Sequence, residues 1–116
     1  AILGGRAERA PTPWQETMTS YAPPDPADAR AAGAVILVAE DNPFNREVVQ
    51  RMLGRLGFHA DLAVDGREAV ERLAQGGHGL VLTDLHMPEM DGIGLVTAIR
   101  RGETAAAADL PVIALT

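Results

Sequence analysis

The stretch Val35-Ile36-Leu37-Val38-Ala39 is a short, continuous apolar run, and it ends in the acidic pair Glu40-Asp41. An apolar strand without alternating polar residues is buried on both faces, as in a parallel sheet that helices cover on each side. The stretch therefore predicts a central strand of an α/β domain, with two carboxylates at its carboxyl end.

An amphipathic helix is predicted directly after this strand. Asn42-Pro43 is a helix start signal, and Gly57 is a stop signal. Between them, apolar residues recur at helical spacing, and the charged residues lie largely on the opposite face. The apolar positions are Phe44, Val48, Val49, Met52, Leu53 and Leu56.

The chain then repeats this alternation of strand and helix. A short strand is predicted from His59 to Ala63, and Asp65 can cap a helix that ends at Gly76-Gly77. The inward residues of this helix are Ala69, Val70 and Leu73.

A second buried apolar strand, Leu80-Val81-Leu82-Thr83-Asp84, again ends in an acid. Residues 87–92 form a loop, a third helix follows, and Pro111 introduces a fourth strand at residues 112–115. The inner face of the third helix is given by Leu95, Val96 and Ile99. Strands and helices in this order predict a doubly wound α/β sheet with right-handed crossovers.

The sequence ends at Thr116, directly after the fourth predicted strand, where a further helix would be expected. A sheet that ends there has an apolar edge and one poorly covered face. We therefore expect residues 34–116 to be the N-terminal part of a longer domain.

Residues 1–33 have a different composition. Five of the eight prolines fall before residue 30, among Thr, Ser, Ala and Asp, without sustained periodicity. Such a stretch buries too little apolar surface to offset its ordering entropy, which predicts a flexible, proline-rich linker. Trp14 and Tyr21 either dock on a neighbouring surface or remain solvated in this linker.

Composition excludes several classes of function for this segment. No apolar run approaches the length of a membrane span, and the first residues lack the flanks of a signal peptide, so no membrane contact is expected. The net charge of −6 argues against direct contact with nucleic acid, because binding to phosphates needs a positive surface. The absence of cysteine excludes disulfides and thiolate metal sites, and it suits a reducing cytoplasm.

The carboxyl ends of parallel strands meet at one edge of a sheet, where ligands bind near the reversal of strand order. Glu40, Asp41 and Asp84 lie at this edge, and Thr116 ends the fourth strand. Three carboxylates held together repel one another unless a cation neutralises them, and oxygen ligands favour Mg²⁺. This combination indicates phosphoryl chemistry, with Asp84 as the acceptor and the Thr116 hydroxyl as a hydrogen-bond donor to the phosphoryl group.

These residues also have structural interpretations. Asp41 or Asn42 can cap the following helix, so the sequence leaves capping and metal binding open for Asp41. Capping explains Asp84 poorly, because a loop follows it, while Thr116 is also compatible with an ordinary strand end. A lone loop histidine such as His86, without a second His or Cys at ligand spacing, is more often incidental than a metal ligand through its ring.

Three stretches carry a specific pattern: residues 35–42, residues 82–92 and residues 111–116. In the middle stretch an apolar strand is followed by Asp, two residues, Met-Pro, and then Met-Asp-Gly. Together they resemble the receiver domain of two-component response regulators, over about residues 34–116. The run Glu40-Asp41-Asn42-Pro43-Phe44-Asn45-Arg46 is most similar to receivers of hybrid sensor histidine kinases. The resemblance implies a flavodoxin-like fold and cytoplasmic phosphorelay signalling.

The resemblance also implies a role for each residue of the acidic edge. Asp84 would accept a phosphoryl group from a phosphohistidine on a histidine kinase or histidine phosphotransfer partner. Asp41 and Asp84 would ligate Mg²⁺ directly, Glu40 would act largely through water, and the backbone carbonyl of His86 would complete the protein ligands. Thr116 would be the switch hydroxyl. The segment would thus be a phosphoacceptor rather than a turnover enzyme, within a parent protein of the histidine kinase class.

One part of the family pattern is absent from the sequence. Receivers have a fifth strand with a lysine that pairs with the phosphoryl group, and this sequence contains no lysine. Arg100 and Arg101 are expected to lie too far away to replace it. A truncated or degenerate receiver that acts only as an interaction module is therefore an alternative. A phosphohydrolase with an aspartate nucleophile is a further alternative, but it would need a second acid where this chain has His86.

Overall fold

The computed structural model describes residues 25–115. Their strands are β1 (Val35–Ala39), β2 (Ala60–Ala63), β3 (His78–Thr83) and β4 (Val112–Ala114), and their helices are α1 (Pro26–Ala31), α2 (Pro43–Arg55), α3 (Gly66–Leu73) and α4 (Gly92–Arg100). The strands form one parallel sheet in the order β2-β1-β3-β4. This confirms the prediction of a flavodoxin-like, doubly wound sheet, in which the strand order reverses at β1.

β1 is the central strand of the sheet. All five of its residues are buried, as the apolar run predicts. It pairs with β2 on one side and with β3 on the other, so that Val38 lies opposite both Leu62 and Leu82. Because side chains alternate along a strand, Leu37 belongs to one layer of the core and Ile36 to the other.

The two faces of the sheet are covered unequally. α3 and α4 together cover one face, whereas α2 alone packs on the β1 and β2 side of the other. The buried cluster on the first face consists of Leu37, Ala39, Ala63, Ala69, Leu73, Val81, Leu95, Ile99 and Leu110. The buried residues under α2 are Ile36, Val38 and Leu53. The predicted poorly covered face is thus the α2 face, and Ile113 on the edge strand β4 is 52% exposed.

Side-chain caps begin α2, α3 and α4, and those of α2 and α3 lie at the predicted positions. Asn42 caps α2, Asp65 caps α3 and Asp91 caps α4, each accepting a backbone N–H two or three residues further on at 2.8–3.1 Å. α2 ends at Arg55, and Gly57 follows it with a φ of 90° that favours glycine. None of the helices in residues 25–115 is long and apolar enough to cross a membrane.

The apolar stripe of α2 is wider than the surface that the helix covers. Leu53 is buried, whereas Phe44 is 72% exposed and Met52 is 58% exposed. The helix packs mainly on β1 and β2, so only part of the stripe finds apolar partners. The helix is therefore predicted correctly from its periodicity, but the burial of its residues is not.

α1 differs from the linker prediction. The predicted linker reaches residue 33, but residues 26–31 form a helix capped by Asp25, with Ala29 buried against β1. The Arg30 guanidinium donates to both carboxylate oxygens of Asp61 on β2, at 3.0 and 3.1 Å. The predicted boundary is therefore wrong, because a long-range ion pair stabilises a helix that is too short to persist alone. Residues 1–24, with both aromatic residues of the predicted linker, lie outside the described residues.

Asp61 accepts hydrogen bonds from two sides. Its side chain is 10% exposed, and the buried His78 ring lies 2.8 Å from it through Nε2, while His59 Nε2 is 3.6 Å away. Burial raises the pKa of Asp61, but the hydrogen bonds from Arg30 and His78, together with their charges, outweigh it and hold that pKa below its usual range.

The Asp61 carboxylate therefore predicts a pH dependence of stability. Because the pKa of Asp61 is lowered in the folded chain, its carboxylate stabilises the fold fully at pH values above the ordinary pKa of 3.8. This contribution is lost as the pH falls below that value. Asp61→Asn should lower the free energy of unfolding by about 1–3 kcal/mol at neutral pH and flatten its decrease between about pH 5 and pH 2. Urea unfolding across this range measures both effects. Asp28→Asn, at an exposed acid of α1, is the control. If the stability of Asp61→Asn fell with decreasing pH as steeply as that of the wild type, the assignment of this pH dependence to Asp61 would be contradicted.

Candidate functional site

Three acids converge at the carboxyl ends of two neighbouring strands. Glu40 and Asp41 follow β1, and Asp84 follows β3. One carboxylate oxygen from each lies within 4.8 Å of the others. Glu40 is buried, Asp84 is half-buried and Asp41 is exposed, so the group opens to solvent on one side. The convergence expected from the strand ends is present in the structure.

The charges in this acidic cluster oppose one another. Burial raises the pKa of Glu40, and although the Asn42 N–H at 3.3 Å lowers it, the nearby carboxyl groups of Asp84 and Asp41 raise it further. A set of three carboxylates offers only oxygen ligands, which suit a hard divalent cation. The described residues therefore fit a cation site in which bound positive charge would relieve the repulsion.

Helix capping does not explain the acids of this cluster. Asn42 caps α2 and Asp91 caps α4, so neither Asp41 nor Asp84 serves as the N-cap. The sequence left helix capping and metal binding open for Asp41, and the structure excludes capping. Asp84 precedes a loop, as predicted, and its Oδ1 accepts only a 3.3 Å hydrogen bond from the backbone N–H of His86 among the described contacts.

The backbone of Asp84 is held on several sides. Its N–H donates to the Ala39 carbonyl of β1 at 2.9 Å, and the buried Thr83 hydroxyl donates to its carbonyl at 2.9 Å. Gly92 packs directly against the same carbonyl, where a Cβ would overlap the oxygen. The glycine of the Met-Asp-Gly motif thus provides the space in which the Asp84 loop lies, a role that the sequence pattern did not reveal.

Arg46 is a further residue that sequence reasoning did not single out. Its Nη1 donates to the carbonyls of Glu40 and Asp41, at 2.8 and 3.1 Å. A basic residue near the start of a helix is disfavoured by the helix dipole, and this position is the signal that could have identified it. Arg46 thereby fixes the backbone that carries two of the three acids.

Of the two remaining predicted site residues, Thr116 and His86, the structure describes only His86. Thr116, the predicted switch hydroxyl, lies outside the described residues. Its neighbour Leu115 donates its N–H to the Thr83 carbonyl at 2.8 Å, so the described end of the chain runs beside the residue that precedes Asp84. His86 is exposed, and its ring is not part of the acidic group among the described residues that could hold a metal ion.

A sequence model described as the response regulator receiver domain matches residues 36–116. The chain belongs to this family. Over 81 residues, this receiver chain is 37% identical to the sensor protein EvgS of Escherichia coli K12, covering 70% of the chain but 6% of that protein. The chain thus spans a small part of the length of the sensor kinases that it matches.

Solved structures are similar as well. One is the receiver domain of the sensor histidine kinase PA1611 from Pseudomonas aeruginosa, which has a magnesium ion coordinated in its active-site cleft. It is 38% identical to this chain with a TM-score of 0.65, and the match covers 73% of this chain and 68% of that one. The Saccharomyces cerevisiae receiver domain of Ssk1, crystallised with the histidine phosphotransfer protein Ypd1, gives 28% identity and a TM-score of 0.62, covering 69% of this chain and 61% of the matched chain. The family and its fold place this receiver chain in phosphorelay signalling.

Repulsion within the acidic cluster predicts that removing one charge stabilises the fold when no cation is bound. Asp84→Asn keeps an oxygen for the His86 N–H and should raise the free energy of unfolding by about 1 kcal/mol in EDTA. Urea unfolding measures the change. Asp109→Asn, at an exposed acid outside the cluster, should change stability by less than about 0.5 kcal/mol. A less stable Asp84→Asn chain would contradict the repulsion.

Close packing at Gly92 predicts a local cost for any added side chain. Gly92→Ala should destabilise the fold by about 1–3 kcal/mol, because the methyl group displaces the Asp84 carbonyl. Backbone amide chemical shifts of residues 83–86 report the displacement directly. Gly94→Ala, on the same helix but facing the flexible Met90 side chain, is the matched control. Unmoved shifts in Gly92→Ala would exclude the proposed packing role.

Proposed function

We propose that this receiver accepts a phosphoryl group on Asp84 from a phosphohistidine. The observation that carries the proposal is the half-buried Asp84 carboxylate, which lies within 4.8 Å of two other acids and caps no helix. Its position beside the strand-order reversal is where open parallel sheets bind ligands. An incoming phosphoryl group is therefore directed to the one edge of the described sheet that carries converging carboxylates.

The expected reaction is a transfer between two side chains. An oxygen of the Asp84 carboxylate attacks phosphorus, an O–P bond forms, and the N–P bond of the donor phosphohistidine breaks. The released imidazole takes a proton from solvent, and Asp84 becomes a mixed anhydride. Because a carboxylate is a weak nucleophile, the protein contributes mainly by positioning Asp84 and by balancing charge.

Mg²⁺ is the cation that this donor set fits best. Asp41 and Asp84 would ligate it directly, Glu40 would act through water, and the backbone carbonyl of His86 would add a neutral oxygen. When bound, the ion would neutralise phosphoryl oxygens as well as the acids. The role of Thr116 as the switch hydroxyl belongs to this same proposal, as does a cytoplasmic location of the domain.

The proposed partner is a histidine kinase or a histidine phosphotransfer domain. The support is chemical: the donor must present a phosphorylated imidazole to an acidic edge that is open to solvent. The complex of the Ssk1 receiver with Ypd1 is a precedent for such a pairing in another protein. Direct contact of this segment with nucleic acid or with a membrane is not part of the proposal.

The test is phosphorylation of the chain in the presence of Mg²⁺. Incubation with acetyl phosphate or phosphoramidate should give an acid-stable, base-labile phosphate on Asp84, detected as a mass increase and mapped by borohydride reduction. Asp84→Asn should abolish the label, whereas Glu89→Gln, at an exposed acid of the same loop, should retain it. Equal labelling of wild type and Asp84→Asn would overturn the assignment of Asp84.

A receiver that binds partners without accepting phosphate is the second candidate. The observation that favours it is the commitment of Arg100 to the carbonyls of Ala108 and Leu110 at 2.9 and 2.7 Å, since its guanidinium then does not serve the acidic cluster. In that case Mg²⁺ would still shift the amide resonances of residues 84–86, but no base-labile phosphate would form.

A further inference from the structure

One guanidinium makes the polar side-chain contacts between α1 and the sheet. Arg30 Nη2 donates to both carboxylate oxygens of Asp61, and Nη1 donates to the carbonyl of Gly76 at 2.7 Å. The Arg30 side chain is 29% exposed and that of Asp61 is 10% exposed, so most of this contact is shielded from water. Charge-assisted hydrogen bonds to two separate acceptors define the orientation of the guanidinium as well as its position.

The acceptor side of this contact is fixed by the sheet itself. Asp61 lies on β2, and its Oδ2 is bound by His78 of β3, whose side chain is only 2% exposed. The carboxylate is therefore oriented by a residue that does not belong to α1. Because its geometry does not depend on Arg30, the sheet offers a preformed acceptor for the helix.

Two glycines provide space for the same segment. A Cβ on Gly77 would overlap the Arg30 side chain, and a Cβ on Gly79 would lie 2.6 Å from the carbonyl oxygen of Gly33. Gly77 also has a φ of 83°, which favours glycine. The turn before β3 is thus shaped so that residues 30–33 can approach its backbone.

This contact lies at the amino ends of the strands. Asp61 is the second residue of β2 and His78 is the first residue of β3, whereas Asp84 follows the last residue of β3. Six strand residues separate the two edges by about 20 Å. The chain that leads into α1 therefore reaches the sheet at the edge opposite the acidic cluster.

We propose that Asp61 and the Gly76 carbonyl form a docking site for Arg30, and that this site makes residues 25–33 a latch between the receiver and the chain that precedes it. A six-residue helix does not persist alone in water, so undocking and unfolding of α1 occur together. The segment then has two states, a rigid extension of the sheet and a flexible tether. In the docked state Asp25, which caps α1, is held at a fixed point relative to the sheet.

The distance between the helix and the turn that receives it tests the docked state. The chain has no cysteine, so Ala27→Cys and Gln75→Cys place two spin labels at exposed positions in the otherwise unchanged 116-residue chain. Electron–electron double resonance should give one narrow distance distribution. A broad distribution in this chain, which still has Arg30 and Asp61, would overturn the proposal.

Variants of the pair test whether Arg30 and Asp61 hold the latch closed. Arg30→Met and Asp61→Asn should each broaden the distribution, and the double variant should broaden it no further than either change alone. Arg51→Met is the matched control, because Arg51 also pairs with one carboxylate, Glu47, but is 75% exposed. An unchanged distribution in Arg30→Met, or additive broadening in the double variant, would show that this pair is not the latch.

Hydrogen exchange separates local release from loss of the whole fold. The Ala34 N–H donates to the Ala29 carbonyl and reports the docked segment, whereas the Val38 amide reports the centre of the sheet. In the unchanged chain the Ala34 amide should exchange at least about tenfold faster than the Val38 amide, each relative to its intrinsic rate, because α1 opens without the sheet. Equal protection of both amides would mean that α1 opens only with the entire domain, and a separate latch would be excluded.

Discussion

The structure depends on the burial of β1 between two strands and two layers of helices. All five of its residues are buried, four of them belong to the two core clusters, and its backbone bonds to β2 on one side and β3 on the other. Because the strand order reverses there, the loops after β1 and β3 diverge to opposite faces and leave a crevice between them. The acids that follow these two strands must then share one small volume. The chemistry of the site is thus a consequence of where one apolar strand lies.

That arrangement is costly, and the neighbouring groups hold the backbone in place rather than relieve the repulsion between the acids. Glu40 is buried among like charges, which raises its pKa, while Arg46 binds the carbonyls of the same turn without neutralising the carboxylates. Asp84 is restrained through its backbone by Thr83 and Gly92, so its side chain stays available. The repulsion between the acids lowers the stability of the fold at the edge where the reactive carboxylate lies, as is common at functional sites. The repulsion is the feature that makes a cation a natural component of the site.

Much of the fold and of the site could be predicted from local pattern. Apolar runs identified the strands, caps and glycines identified the ends of the helices, and strand ends identified the three acids. What could not be predicted depends on contacts between distant residues. The burial of α2 is set by the width of the sheet beneath it, so Phe44 and Met52 are exposed despite their apolar character. The helix at residues 26–31 forms because Arg30 finds Asp61, and nothing near Arg30 in the sequence indicates that partner.

The helix before β1 also places the start of the folded domain before the start of the family match. Family similarity starts at residue 36, but the folded unit includes α1 and its cap at Asp25. A recombination event that joined this receiver to a new protein at residue 34 would leave Asp61 and His78 facing each other without the arginine that they accommodate. Modular exchange of this domain therefore has a natural unit that is longer than its family signature, and the ancestry of residues 25–33 is expected to follow that of Asp61 and Gly77.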